Sequence, residues 1–120
     1  LEYSQRLRDR TRNALAGGPV QSTGRTIHDA AVKGGALSMR QPVGAIAPGH
    51  RCDVTVLDAG HPLLAGRSGD AALDTWIFSG GNALVKDVFV AGRQVVKDRH
   101  HIHEETIAEN FRAALRRLAT

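Results

Sequence analysis

Six valines in three short runs set the tightest limit on what this chain can fold into: Val54 and Val56, Val88 and Val90, then Val95 and Val96. Apolar and polar residues alternating at period two mark strands that bury one face. The later runs predict a hairpin, Val85 to Val90 meeting Gln94 to Lys97 across Ala91-Gly92-Arg93, with Gly92 supplying the positive φ of a tight turn. Cys52 to Leu57 predicts a further strand, with Val54 and Val56 on one face and Asp53, Thr55 and Leu57 on the other. Three strands are few for an independent sheet. The valines therefore call for partners that the remaining sequence barely supplies.

The rest reads as helix and turn. Tyr3, Leu7, Thr11, Ala14 and Leu15 fall on one helical face, predicting a first helix from Leu1 to Ala16 that stops at Gly17-Gly18-Pro19. Opening at Leu1 inside a helical pattern, without methionine, is the expectation for a truncated or incompletely traced chain. Thr26 is the expected cap of a second helix carrying Ile27, Ala30, Ala31 and Leu37, with Gly34-Gly35 weakening its middle. Two prolines and two glycines from Pro42 to Gly49 make a turn-rich connection. Asp70 to Phe78 is helix-like and is stopped by Ser79-Gly80-Gly81-Asn82. From Glu104 to Leu118, Ile107, Phe111, Ala114, Leu115 and Leu118 make an amphipathic helix. Glu104 and Glu105 in its first turn and Arg116 and Arg117 in its last suit the helix dipole.

Composition narrows the function classes. The 120 residues carry a net charge of +4, and thirteen of the sixteen basic residues are arginines. They are scattered. Even Arg6, Arg8, Arg10 and Arg12 step about 200° apart on a helix, and no aromatic interleaves with them as a stacking platform requires. Neither nucleic acid nor a membrane is an expected partner: no apolar run approaches the roughly 20 residues of a bilayer span. One cysteine, Cys52, allows no internal disulfide, and a cytoplasmic setting is the expectation.

Two phrases carry a resemblance. Gly44-Ala45-Ile46-Ala47-Pro48-Gly49-His50-Arg51-Cys52-Asp53-Val54-Thr55-Val56-Leu57-Asp58 resembles a signature near the C-terminus of amidohydrolase-superfamily enzymes, with Cys52 where alanine is usual. The stretch Val85 to Asp98 is similar to the hairpin that follows it there. Within the superfamily the likeness is to the formimidoylglutamate deiminases of histidine degradation. It rests on Leu1 to Arg10, Gly66-Arg67-Ser68-Gly69-Asp70, and Leu73 through Gly81.

The resemblance implies an α+β fragment. Residues 1–41 would be the last helices of a (β/α)₈ barrel. Residues 42–103 would give C-terminal strands of a small composite β-sandwich, with a short inserted helix. Residues 104–120 would be a helix packed back on the barrel. It further implies a zinc enzyme, a homodimer when intact, that hydrolyses N-formimidoyl-L-glutamate to N-formyl-L-glutamate and ammonia. The metal would lower the pKa of a bound water for attack on the formimidoyl carbon. The resemblance places every metal ligand upstream of Leu1, so no catalytic, cofactor-binding or metal residue is expected here, and the chain alone is expected to be inactive. The remainder of the parent chain is then its expected partner. Two rivals are another deaminase of the superfamily and a non-catalytic binding or scaffold module.

Several residues have a chemical reading beside a plain one. His101-Ile102-His103, with His100 adjoining, has the form of a zinc-binding pair. It lacks further ligands at recognisable spacing, and an exposed turn is the expectation. His28 reads as a surface or packing residue, and His50 and His61 as loop residues. Cys52 reads as small buried packing, and Asp53 and Asp58 as capping or bridging groups for loop amides. Gly34-Gly35 and Gly80-Gly81 lack phosphate-loop context.

Overall fold

A computed structural model describes residues 2–17, 19 and 21–119. These form helices α1 (Glu2–Asp9), α2 (Thr23–Met39), α3 (Gly69–Thr75) and α4 (Glu104–Leu118), and strands β1 (Val54–Leu57), β2 (Val85–Val90), β3 (Arg93–Lys97) and β4 (His100–His101). The strands make one antiparallel sheet in the order β1-β2-β3-β4. All six valines lie in it. Thr55 faces Val88, Val88 faces Val96, and Val96 faces His101, a continuous cross-strand row.

Among the described residues there are four strands rather than three. The missed turn is Asp98-Arg99, both residues at positive φ (47° and 72°), which brings His100 opposite Lys97. It repeats the geometry of the β2–β3 turn, where Ala91 and Gly92 have φ of 51° and 78°. Two successive left-handed residues match the twist of the flanking strands. Arginine rarely adopts that conformation, so its residue type hides the turn. An Arg99–Asp58 ion pair at 2.7 Å and an Asp98 N–H donated to Asp87 hold it.

The helical segments need three corrections. The first helix stops at Asp9, not Ala16, and Arg10 and Asn13 take positive φ; Leu1 and Gly18 lie outside the described residues. Leu7 is 83% exposed while Tyr3 sets its ring edge-on to Phe78, so the apolar stripe packs only in part, and short helices with little tertiary packing are marginal. Ser22, not Thr26, caps α2: its Oγ accepts from the Arg25 N–H at 2.9 Å. The helix runs through Gly34-Gly35 to Met39 and ends at Arg40, in the left-handed conformation. In place of one helix to Phe78, α3 ends at Thr75, widens into a π-helical turn (Trp76–Gly80), then tightens into a 3₁₀ turn (Gly81–Leu84).

The core is small. Leu64, Leu73 and Leu84 are the buried hydrophobics among the described residues, and Leu84 is fully enclosed at 0%. The accessible surface is 9004 Å², against roughly 6,300 Å² for a compact monomer of this mass. The radius of gyration is 18.0 Å, against about 14 Å for a compact domain of this length. Neither α1 nor α4 makes an extensive contact with another element.

Candidate functional site

The two sequence phrases meet in space. Asp53 Oδ1 accepts the Ala91 N–H at 2.7 Å, and the Cys52 carbonyl accepts the Gly92 N–H at 2.8 Å. The signature thereby grips the hairpin turn. Arg51 approaches the same Asp53 carboxylate at 3.2 Å. At the far end of β1, Asp58 takes the Gly60 N–H on Oδ1 at 3.1 Å and the Arg99 guanidinium on Oδ2 at 2.7 Å. Arg99 first, then the Gly60 amide, hold the Asp58 carboxyl below its ordinary value. The aspartates therefore bridge loop amides. Cys52 is exposed rather than buried, because it precedes β1 and nothing among the described residues covers it.

A second knot joins α2 to α3. Asp74 Oδ1 accepts both the Ser22 hydroxyl (2.8 Å) and the Gly24 N–H (2.7 Å). A carboxylate at a helix N-terminus satisfies an orphan donor and the dipole together. Arg25 reaches Asp70 at 2.9 Å. A Cβ on Gly24 would collide with Asp74 Oδ1, so the close approach requires glycine. Beside this junction an apolar cleft of about 650 Å³ is lined by Tyr3, Leu15, Ile27, Ala30, Ile77 and Phe78.

The histidine triplet is the strongest chemical candidate, and two ring nitrogens of its neighbourhood are engaged within the turn. Glu104 bonds the His100 ring through Oε1 at 2.8 Å and accepts the His101 N–H on Oε2 at 3.0 Å. His101 Nδ1 accepts the His103 N–H at 3.1 Å. The triplet is thus partly strand and partly a folded lead-in to α4, not simply an exposed turn. Among the described residues no three His, Cys, Asp or Glu side chains are placed to share a metal ion. The Nδ1 atoms of His100 and His101 are both used to hold the lead-in to α4. His61 does a similar job: its Nδ1 accepts the Leu63 N–H at 3.2 Å, capping the turn that seats Leu64. His28 pairs with Asp29 at 3.0 Å and its ring lies 6.3 Å from Trp76; His50 is exposed. Capping by histidine was not legible, because a ring nitrogen serves this role only once the backbone has turned.

No helix among the described residues is long and apolar enough to cross a membrane. What stays open is apolar. Ile107, Phe111, Leu115 and Leu118 on α4 are all exposed, Phe111 at 63%.

No family model matches the sequence. Over 111 residues, 92% of this chain, it is 51% identical to a formimidoylglutamate deiminase from Pseudomonas aeruginosa, and spans 24% of that protein's length. The fold superposes along its full length on 26% of an amidohydrolase from Brucella melitensis, with a TM-score of 0.81 and 35% identity. By sequence and by fold together, this chain is similar to a stretch of amidohydrolases, and it spans about a quarter of the length of the proteins it resembles.

Proposed function

We propose that the chain is the C-terminal segment of a zinc-dependent formimidoylglutamate deiminase, and that it braces the catalytic domain without supplying catalytic groups. In the intact cytoplasmic enzyme, a homodimer, N-formimidoyl-L-glutamate and water give N-formyl-L-glutamate and ammonia. The similarity to the Pseudomonas deiminase across nearly the whole chain carries this reading. In it, residues 1–41 are the closing helices of the barrel, 42–103 the sandwich strands, and 104–120 the helix that returns to the barrel. The zinc ligands belong to the remainder of the parent chain, and no step of the reaction runs through the residues described above.

The open surface supports the same reading. The excess over a compact monomer, roughly 2,700 Å², is at least as large as the roughly 1,000–2,500 Å² that each partner contributes to an obligate interface. The experiment is an ammonia-release assay on N-formimidoyl-L-glutamate. The full-length zinc-loaded protein is expected to turn over, and the purified 120-residue chain with equimolar zinc is not. Activity in the isolated chain, or a full-length protein that hydrolyses a purine-type ring instead, would overturn the reading.

A further inference from the structure

α4 is held to the sheet mainly by the turn that leads into it, and that turn depends on a neutral imidazole. The His103 N–H is donated to His101 Nδ1 at 3.1 Å, and a nitrogen accepts only while it carries no proton. Neutral His101 therefore has its proton on Nε2. Protonation would place a second N–H against the His103 N–H, and that bond would have to break. The His103 ring, 5.8 Å from the His101 ring, adds like-charge repulsion when both are protonated.

The opposite response is built beside it. Glu104 spans the His100 ring and the His101 N–H. The His100 contact is the main reason its carboxyl stays below the usual value, with the His101 amide adding to it. The Glu104 contribution is complete above the ordinary carboxylate range and is lost only as pH falls through the depressed value. The clamp thus survives mild acidification. Among the described residues, the charged groups beside this turn include Lys97 of β3, opposite His100, Asp98 and Arg99 in the turn before it, and Glu105 of α4, which lines the same shallow pocket. The acidic groups favour a protonated imidazole, whereas Lys97 and Arg99 oppose one.

We propose that the His101–His103 turn is a pH-sensitive hinge. Acid opens it at His101 while the Glu104 clamp keeps α4 tethered to β4, so the apolar face of Ile107, Phe111 and Leu115 changes its aim without the helix unfolding. The hinge is a property of these four residues and does not depend on the reaction proposed above.

The test is amide hydrogen exchange on the full-length protein at pH 7.5 and 5.5, corrected for intrinsic rates and read on peptides covering residues 101–107. Loss of one hydrogen bond predicts roughly a threefold to tenfold fall in protection at the acidic pH. His101→Asn keeps an acceptor oxygen that does not titrate and is expected to abolish the change. His103→Gln leaves the backbone donor and the Nδ1 acceptor in place and is expected to retain it. Unchanged protection in the unmodified protein overturns the hinge, whatever the variants do. So does a response that persists in His101→Asn, or one that His103→Gln removes. Should His101→Asn fail to protect the Leu73–Leu84 peptides, the unmodified and His103→Gln proteins decide the matter.

Discussion

Single residues in this chain are held by close approach more than by charge. Gly80 and Gly35 make the contrast. A Cβ at Gly80 would fall on the side chain of Leu84, the fully buried leucine, whereas at Gly35, inside α2, it meets nothing within 4 Å. Overpacking a filled site costs about 1–3 kcal/mol, and alanine in a helix interior gains about 0.5–1 kcal/mol over glycine. In the isolated chain Gly80→Ala is therefore expected to lower the thermal midpoint and Gly35→Ala to raise it, both read by circular dichroism. The sequence shows two glycine pairs and no difference between them. What separates them is the π-helical turn at Trp76–Gly80, which folds Gly80 back onto Leu84 and leaves no periodic signal.

At the scale of elements, alternation was the reliable guide. It placed Val54 and Val56, Val88 and Val90, and Val95 and Val96 in one sheet, and the α4 periodicity matched the helix end to end. Its failures share a cause. β4 has two residues and no period to read, α1 stops at Asp9 although its stripe runs on, and the π and 3₁₀ turns after α3 bring Gly80 against Leu84, which no period signals. Asp53, Asp58 and the hairpin phrase were legible as a motif, but only the turn geometry shows the signature gripping Ala91 and Gly92. The Asp98-Arg99 turn gives the element-level test. Arg99 is the first cause of the lowered Asp58 carboxyl. Such a group stabilises the fold above the ordinary carboxylate range, and the contribution is lost as pH falls through its depressed value. Arg99→Ala is expected to move the Asp58 titration, followed by carboxyl carbon NMR, back up toward the ordinary range. An unmoved titration would show that the pair does not hold the turn in solution.

For the whole molecule the decisive quantity is surface. Among the described residues, a sheet with few strands, three buried leucines and the bare apolar face of α4 are consistent with a piece that lies against something larger. The valine pattern already called for missing partners, and the 9004 Å² of accessible surface puts a size on the need. α4 concentrates it. Phe111 is 63% exposed here, and if α4 returns to the barrel in the intact enzyme this ring becomes core. Arg112 lies off that face. Burying and then deleting a phenylalanine costs about 3–5 kcal/mol, whereas a surface arginine changed to alanine shifts stability by less than about 0.5 kcal/mol. The most direct measurement is denaturant unfolding of the full-length protein carrying Phe111→Ala or Arg112→Ala. A large loss for Phe111→Ala beside almost none for Arg112→Ala is the expected result, in whichever transition contains α4. Equal, small shifts for both would mean that α4 stays undocked and that this segment does not brace the catalytic domain.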